Sequence, residues 1–393
     1  MPATLPQLTE QEAADHIAAA SLQGASAGVV GLECEWFPVP RVPMDDVHAA
    51  LAGVVRPGGS RITFEPGGQI ELSSPPVVGV AAAAHALAAD AATVSSALAP
   101  LGVSLLATGL HPTQVPTRVV HSPRYAAMEV YFDHDGRAGR TMMCGTAALQ
   151  VNVDLGTDAE ARRRWTLAHR LGPVLLASFA NSPVADGRPT GWKSTRAATW
   201  MAIDRTRTAP PAGGLSGWVD YALDARVMFV RTVAGGQDFF EPVLRPMTFR
   251  AWVRDGHPLG WPTADDLDYH LTTLFPPIRP KGWLELRFID ALPSPWWEAA
   301  AAVAVTLLDD PVASDRAAAA LDRITMPVTW GWRTAARCGL EDPELGTAAE
   351  ACFEAAASRA DPALAPLVVS YLDRYVSRRL CPADDVVPTP VGA

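Results

Sequence analysis

Cysteine, positive charge and long apolar runs are all scarce in this chain, and each shortage closes off a class of function. The five cysteines among 393 residues (Cys34, Cys144, Cys338, Cys352 and Cys381) are odd in number and contain no CxxC pair. Neither a disulfide framework nor a zinc knuckle is indicated, and a reducing cytoplasm fits. Acidic residues outnumber basic ones 42 to 32, giving a formal net charge of −10 and a pI near 5.4. An acidic surface is not drawn to nucleic acid or to anionic membranes, so small polar ligands remain as partners. The two most apolar stretches, beginning at Val77 and Ala299, are rich in alanine and shorter than a membrane span. The N-terminal residues lack the basic start and apolar core of a secretory leader and read instead as a helix capped by Thr9 and Glu12. Motifs of the form GxxxxGKS/T, HExxH, GxSxG and post-strand GxGxxG are missing too, which removes the P-loop, zincin, hydrolase-elbow and Rossmann readings.

What the chain does carry is 49% hydrophobic content, enough for a sizeable core, and a recurring two-residue period. In GLECEW, Glu33 and Glu35 share one face of a strand while Leu32, Cys34 and Trp36 take the other. Gln69, Glu71 and Ser73 repeat the pattern in QIELS, as do Gln150, Asn152 and Asp154 in LQVNVD, and Glu285 with Arg287 in WLELRFI. These strands predict a sheet with an apolar back and a front lined by carboxylates and amides. Crowded carboxylates repel unless cations compensate, and oxygen donors suit the hard ions Mg²⁺ and Mn²⁺. Arginine and lysine near the same strands, namely Arg124, Arg196, Arg279, Lys281 and Arg287, are the groups an anionic substrate would need.

Between these strands the spacing predicts a β-hairpin turning at Pro66-Gly67-Gly68 with Glu65 beside the turn, a helix over 80–98, and a helix opening at Arg124 and Tyr125. A strand over 141–153, a mobile connection or lid over 205–217 rich in proline and glycine, and a helix ending near Phe275 are also expected. His270 keeps helical register with Leu267, Leu271 and Leu274 and reads as a packed histidine; Asp133–Gly136 reads as a turn. Trp192 and Trp200 are candidates for the floor of a ligand pocket. The fold class is α+β with an antiparallel or mixed sheet, in one domain over 1–393, with a helical C-terminal portion at 295–380 and a flexible tail at 382–393.

The ordered set VGLECEWF, RITFEPGGQIELSSPP, PRYAAME, ALQVNVD, ANSPVADGRPTGWKSTRAATW and YHLTTLFPPIRPKGWLELRFIDALP resembles the glutamate-cysteine ligases. It is most similar to the actinobacterial branch that supplies γ-glutamylcysteine for ergothioneine synthesis, with the plant enzymes more distant. The resemblance implies a glutamine-synthetase-like antiparallel sheet forming a funnel-shaped active site backed by helices, holding two or three Mg²⁺ (or Mn²⁺) ions with ATP, glutamate and cysteine as substrates. Carried over by motif, the metal-binding residues fall on Glu33, Glu35, Glu71, Gln150 and Glu285, and the catalytic arginine on Arg287 beside Glu285. Arg124, Tyr125, Arg196 and Trp192 fall to the amino-acid substrate, and Arg279, Lys281 and Asn152 to ATP phosphates. Glu65 takes a structural or supporting place. Pro277 departs from the plant-like pattern, which has an acid nearby. Another carboxylate–amine ligase or guanidino kinase of the same fold, and a non-catalytic amino-acid or metal-binding protein, are the alternatives the pattern leaves open.

Overall fold

In the computed structural model, which describes residues 7–24 and 28–386, strand alternation sets the architecture. The strands β1 (Val29–Val39), β2 (Arg61–Phe64), β3 (Ile70–Ser73), β4 (Val77–Val78), β5 (Ser104–Leu106) and β6 (Ala148–Asp154) come first. β7 (Val184–Ala185) and β8 (Arg188–Pro189) form a small hairpin, and β9 (Phe229–Ala234) and β10 (Gln237–Pro242) a second one. β11 (Ile278–Pro280) and β12 (Trp283–Asp290) return to the main sheet. That sheet has eight strands in the order β11-β12-β6-β1-β3-β2, with β4 and β5 also pairing with β1, and every pairing is antiparallel.

The apolar back consists of Leu32, Cys34, Ile70, Leu72, Leu149, Val151, Val153, Leu284 and Leu286, all buried. Each such aliphatic side chain contributes roughly 1.5–3 kcal/mol by leaving water. The helices Val80–Leu98, Asp158–Ser178 and Trp296–Asp309 cover it. Trp296–Asp309 is buried from Trp297 to Leu308, a stretch of mostly alanine, valine and leucine in which Glu298 and Thr306 are the polar residues. Further helices, among them Pro311–Leu321, Val328–Cys338, Pro343–Ala357 and Ala365–Arg374, pack on this layer. The N-terminal helix Glu10–Leu22 carries the expected capping box, with Thr9 Oγ1 accepting from Glu12 N–H and Glu12 Oε2 accepting from Thr9 N–H. Among the described residues no helix is long and apolar enough to cross a membrane.

Three sequence expectations are corrected. The stretch 141–153 is not one strand: Ala138–Gly145 is helical and only Ala148–Asp154 is extended. Packing overrides local pattern here, because Met142, Met143 and Cys144 must face inward beside Tyr131 and Phe132, and Gly139 lies so close to Phe132 that a Cβ would fall 2.1 Å from that residue's own. The segment 205–217 is not a free lid. It begins with the short helix Arg205–Thr208, and Arg207 is fully buried, its guanidinium donating to Asp204, Thr273 O and Arg226 O. The tail is not free at 382–386 either: Pro382–Asp384 is a 3-10 turn with Ala383 N–H donating to Ala180 O, while 387–393 lie outside the described residues.

Two backbone features aim side chains at the front of the sheet. The β2–β3 hairpin turns through Gly68 at φ +88°, and its neighbour Gly67 abuts the backbone of Cys144, where a Cβ would sit 2.2 Å from the carbonyl oxygen. In β12 the register shifts between Leu286 and Ile289: Leu286 pairs with Val151 and Ile289 with Leu149, so β12 gains one residue. Such a bulge inverts the inside–outside parity of everything beyond it. Gly67→Ala should therefore cost about 1–3 kcal/mol through overpacking against backbone that cannot yield. The check is the urea midpoint, and an unchanged midpoint would contradict the close approach.

Candidate active site

On the front of the sheet the polar residues fall into register across neighbouring strands. Arg279 pairs with Glu285, and Glu285 with Asn152. Gln150 pairs with Glu33 and Glu33 with Ser73, while Glu35 pairs with Glu71 and Glu71 with Thr63. Directly opposed residues hold their Cβ atoms about 4.5–5.5 Å apart. Residues separated by some 250 positions of chain thus share one surface, because the strand order places β12, β6, β1 and β3 side by side.

Above this floor opens a cavity of about 1750 Å³. Glu33, Glu35, Glu71, Gln150, Glu285, Arg287, Arg279 and Lys281 line its floor. Its walls come from elsewhere: Glu65 and Pro66 from the hairpin turn, Arg124 and Tyr125 from the helix Pro123–His134, Arg196 and Trp200 from the helix Thr195–Met201, and Gln237–Phe240 from β10. Ser122 caps the first of these helices at Tyr125 N–H, and Ser194 caps the second at Ala197 N–H, which fixes where both arginines emerge.

The carboxylates are individually satisfied and collectively crowded. Glu33 accepts from Asn152 Nδ2 at 2.9 Å; Glu35 accepts from Ala148 N–H at 2.9 Å and Gln150 Nε2 at 3.3 Å; Glu71 accepts from Thr63 and Ser73 hydroxyls. Burial, reinforced by the negative charge of Glu285 and Glu71, raises the Glu33 carboxyl. Burial together with Glu65 and Glu71 drives Glu35 well above the usual carboxylate range, and burial and Glu71 push Glu65 up to about 7. Glu285 goes the other way. Burial would raise it, but Arg279, Arg287 and Lys281 together hold it far below its ordinary value. Arg279 grips it with two bonds, Nε to Oε2 at 2.7 Å and Nη2 to Oε1 at 3.1 Å, and Arg287 Nη1 donates to Glu285 Oε2 at 2.9 Å and to Gln150 Oε1 at 2.6 Å.

A group of raised carboxyls facing one open cavity is an arrangement short of positive charge, and its oxygen-only donor set suits a hard divalent cation. Among the described residues no three acidic, histidine or cysteine side chains close tightly enough to enclose an ion alone. An ion here would take one or two carboxylates and complete its shell with water or phosphate, as Mg²⁺ commonly does.

Other residues singled out in the sequence are placed as follows. Arg124 lies over the Tyr269 ring, 5.0 Å from its centroid, at the cavity wall. Tyr125 faces the cavity, and burial raises its phenol, so it stays a hydrogen-bond donor. Asn152 sits beside Glu33 and also accepts from Trp283 Nε1 at 3.0 Å, outside the cavity lining. Trp192 is not brought to the site: it lies on the outer side of the helix Thr195–Met201 beneath Arg333, 5.2 Å from the ring centroid. His270 is buried, its Nε2–H donating to Ala222 O, and burial lowers it to about 3, so it is a neutral packing residue. Sequence reasoning undervalued Glu65, whose carboxylate joins the acidic group from the turn, and missed Phe239, Phe240, Phe275 and the methionines Met128, Met142 and Met143 on the walls. Strand alternation signals none of these, since they come from loops, helices and a separate hairpin.

Comparison with known proteins adds an independent line. Residues 29–367 match glutamate-cysteine ligase family 2 (GCS2). The chain is 44% identical over 391 residues to the glutamate–cysteine ligase EgtA of Mycolicibacterium smegmatis, covering 95% of this chain and 90% of that protein. A chloroplastic glutamate–cysteine ligase of Medicago truncatula is 32% identical over 253 residues, covering 62% of this chain and 48% of that protein. Among solved structures, a glutamate–cysteine ligase from Francisella tularensis in complex with AMP superimposes with a TM-score of 0.51 at 12% identity, over 92% of this chain and 84% of that one. That likeness speaks for the fold, and it agrees with the expected α+β class built on an antiparallel sheet.

The raised carboxyls generate a pH dependence with a definite sign. Glu65 titrates at about 7 in the folded chain against 4.5 for an ordinary glutamate. Between those values the folded chain holds a proton that the unfolded chain has lost, so stability is full below the lower value and falls as pH rises through the window. The thermal midpoint of metal-free protein should drop from about pH 5 to about pH 7.5, and Glu65→Gln should flatten part of that drop. Parallel curves for the two proteins would show that Glu65 titrates normally.

Proposed function

The chain belongs to glutamate-cysteine ligase family 2, and from that premise we propose that it joins the γ-carboxylate of L-glutamate to the amine of L-cysteine, converting ATP to ADP and phosphate. The observation that supports this most is the convergence of six acidic side chains, three amides, five arginines and a lysine on one open cavity, a composition suited to polyanionic substrates with their counter-ions. A carboxylate does not acylate an amine unaided. In the first step a glutamate γ-carboxylate oxygen attacks the γ-phosphorus of ATP and ADP leaves, giving a γ-glutamyl phosphate. In the second the cysteine amine attacks the acyl carbon, the C–O bond to phosphate breaks, the nitrogen gives up a proton, and phosphate departs.

Each residue of the cavity has a part in this reading. Glu33, Glu35, Glu71 and Gln150 would hold two or three Mg²⁺ or Mn²⁺ ions, and Glu65 adds a fourth carboxylate from the turn. Bound ions supply positive charge that neutralises phosphate oxygens and aligns them for in-line transfer. Glu285, already gripped by Arg279, Lys281 and Arg287, first holds those cations in place; serving as an ion ligand means exchanging one of them. Arg287, which donates to Gln150 and Glu285, would stabilise charge on the migrating phosphoryl group. Arg279 and Lys281 would face ATP phosphates, whereas Asn152, whose amide is taken up by Glu33 and Trp283 outside the cavity lining, falls out of that set. Arg124, Tyr125 and Arg196 hold the amino-acid carboxylate, a task for which planar guanidinium groups suit paired hydrogen bonds. The whole chain acts as one catalytic unit in the cytoplasm, and its product enters ergothioneine synthesis.

An assay of ADP release with glutamate, cysteine and Mg-ATP, with the product identified by mass, should show strict cysteine dependence and γ-glutamylcysteine. ADP release indifferent to cysteine would overturn the reading in favour of another acceptor. Glu35→Ala should lower kcat by on the order of 100-fold or more while the circular dichroism spectrum is unchanged; near-normal turnover would remove it from the ion-binding set. Arg196→Ala should raise the glutamate KM well above any change in the ATP KM. Equal shifts in both would count against a carboxylate anchor.

A further inference from the structure

Asp290 is fully buried outside the cavity lining, and none of the roles above uses it. Its presence on the front side follows from the bulge in β12. Strict alternation from Glu285 would turn residue 290 to the apolar back, but the extra residue between Leu286 and Ile289 puts Ile289 opposite Leu149 and Asp290 opposite Ala148. A buried carboxylate needs compensation on every side. Asp290 Oδ2 accepts from Asn181 N–H at 2.9 Å and Ser182 Oγ at 2.7 Å, and Oδ1 accepts from Ser194 Oγ at 2.9 Å. The remaining charge is met by Arg196, whose Nη1 stands 3.7 Å from Oδ1. Gly109 closes the pocket, since a Cβ there would fall 2.3 Å from Asp290 Cγ.

The same contacts determine how Arg196 is held. Ser182 Oγ accepts from Arg196 N–H at 3.1 Å, Ser194 Oγ caps its helix, and Arg196 Nη2 donates to Arg287 O at 2.7 Å. Arg196 Nε is buried without a partner, and the side chain lines the cavity. One end of the guanidinium is therefore tied down by Asp290 and the Arg287 backbone, and the Nε side retains an unused donor.

We propose that Asp290 is a positioning residue for the amino-acid substrate: its buried carboxylate, brought forward by the β12 bulge, fixes the Arg196 guanidinium so that its remaining donors meet the substrate carboxylate. This rests on the assignment of Arg196 as a carboxylate anchor. Asp290 touches no substrate itself, so its effect runs wholly through Arg196 and appears in glutamate binding.

The test is a double-mutant cycle of Asp290→Asn and Arg196→Ala, read by steady-state kinetics with glutamate, cysteine and Mg-ATP. Asp290→Asn should raise the glutamate KM about tenfold with kcat and the ATP KM changed by less than about twofold, and should add nothing further in the Arg196→Ala background. Multiplying penalties in the double variant, or a uniform loss across all three parameters, overturns the proposal and leaves Asp290 a structural residue. If Arg196→Ala leaves the glutamate KM unmoved, the anchor assignment itself fails. If Arg196→Ala raises it and Asp290→Asn does not, only the positioning role fails. Should Asp290→Asn alone not fold, the comparison of Arg196→Ala with Arg196→Ala/Asp290→Asn decides, because no guanidinium is then buried without its counter-charge. Equal glutamate KM values support the proposal, and a several-fold difference overturns it.

Discussion

Repulsion between carboxylates set on adjoining strands is the constraint to which the rest of the site answers. Glu35 stands directly opposite Glu71, with Glu33 two residues along and Glu65 at the nearby turn. At an effective dielectric of about 20, two unit charges 4 Å apart cost roughly 4 kcal/mol, so such a group exists only with compensation. The chain supplies part of it: hydroxyls from Thr63 and Ser73, amides from Asn152 and Gln150, the Ala148 N–H, and the Arg287 guanidinium. Burial first, and the neighbouring carboxylates after it, displace Glu33, Glu35 and Glu65 upward, beyond what these partners offset. What the protein leaves uncompensated is the attraction it offers to cations.

The two ends of the floor are consequently unlike. Around Glu285 three cations outweigh one carboxylate, while around Glu35, Glu65 and Glu71 negative charge prevails. A polyphosphate with its counter-ions suits this gradient. The floor is rigid because it is a hydrogen-bonded sheet backed by buried helices. The walls are carried by short helices and the β9–β10 hairpin, elements whose docking brings Arg124, Arg196 and the aromatic rings over the floor.

Much of the floor was legible because strands have a side-chain period of two, which holds wherever no bulge intervenes. Glu33 with Glu35, Gln150 with Asn152, and Glu285 with Arg287 could be assigned to common faces from spacing, and the motif resemblance pointed to the same positions. The walls were not legible in that way. Trp192 and Trp200 are eight residues apart around one short helix, and only packing puts Trp200 in the cavity and Trp192 on the far side. The proline- and glycine-rich 205–217 looked mobile by composition, yet Arg207 anchors its beginning through a buried network. The apolar stretch before β6 looked like more strand, and became helix to seat its methionines.

By itself the sequence determined the class of fold, the two-sided character of the strands, and the identity of the acids, because local periodicity and residue chemistry suffice for these. Tertiary structure alone decided which strands are neighbours, that Glu285 is consumed by three cations, that Glu65 belongs with the acids, and that Asp290 faces forward beneath Arg196. The physical reason is that register, a one-residue bulge and the docking of helices depend on contacts between segments far apart in the chain. No local pattern encodes such contacts, and they set the distances that govern charge.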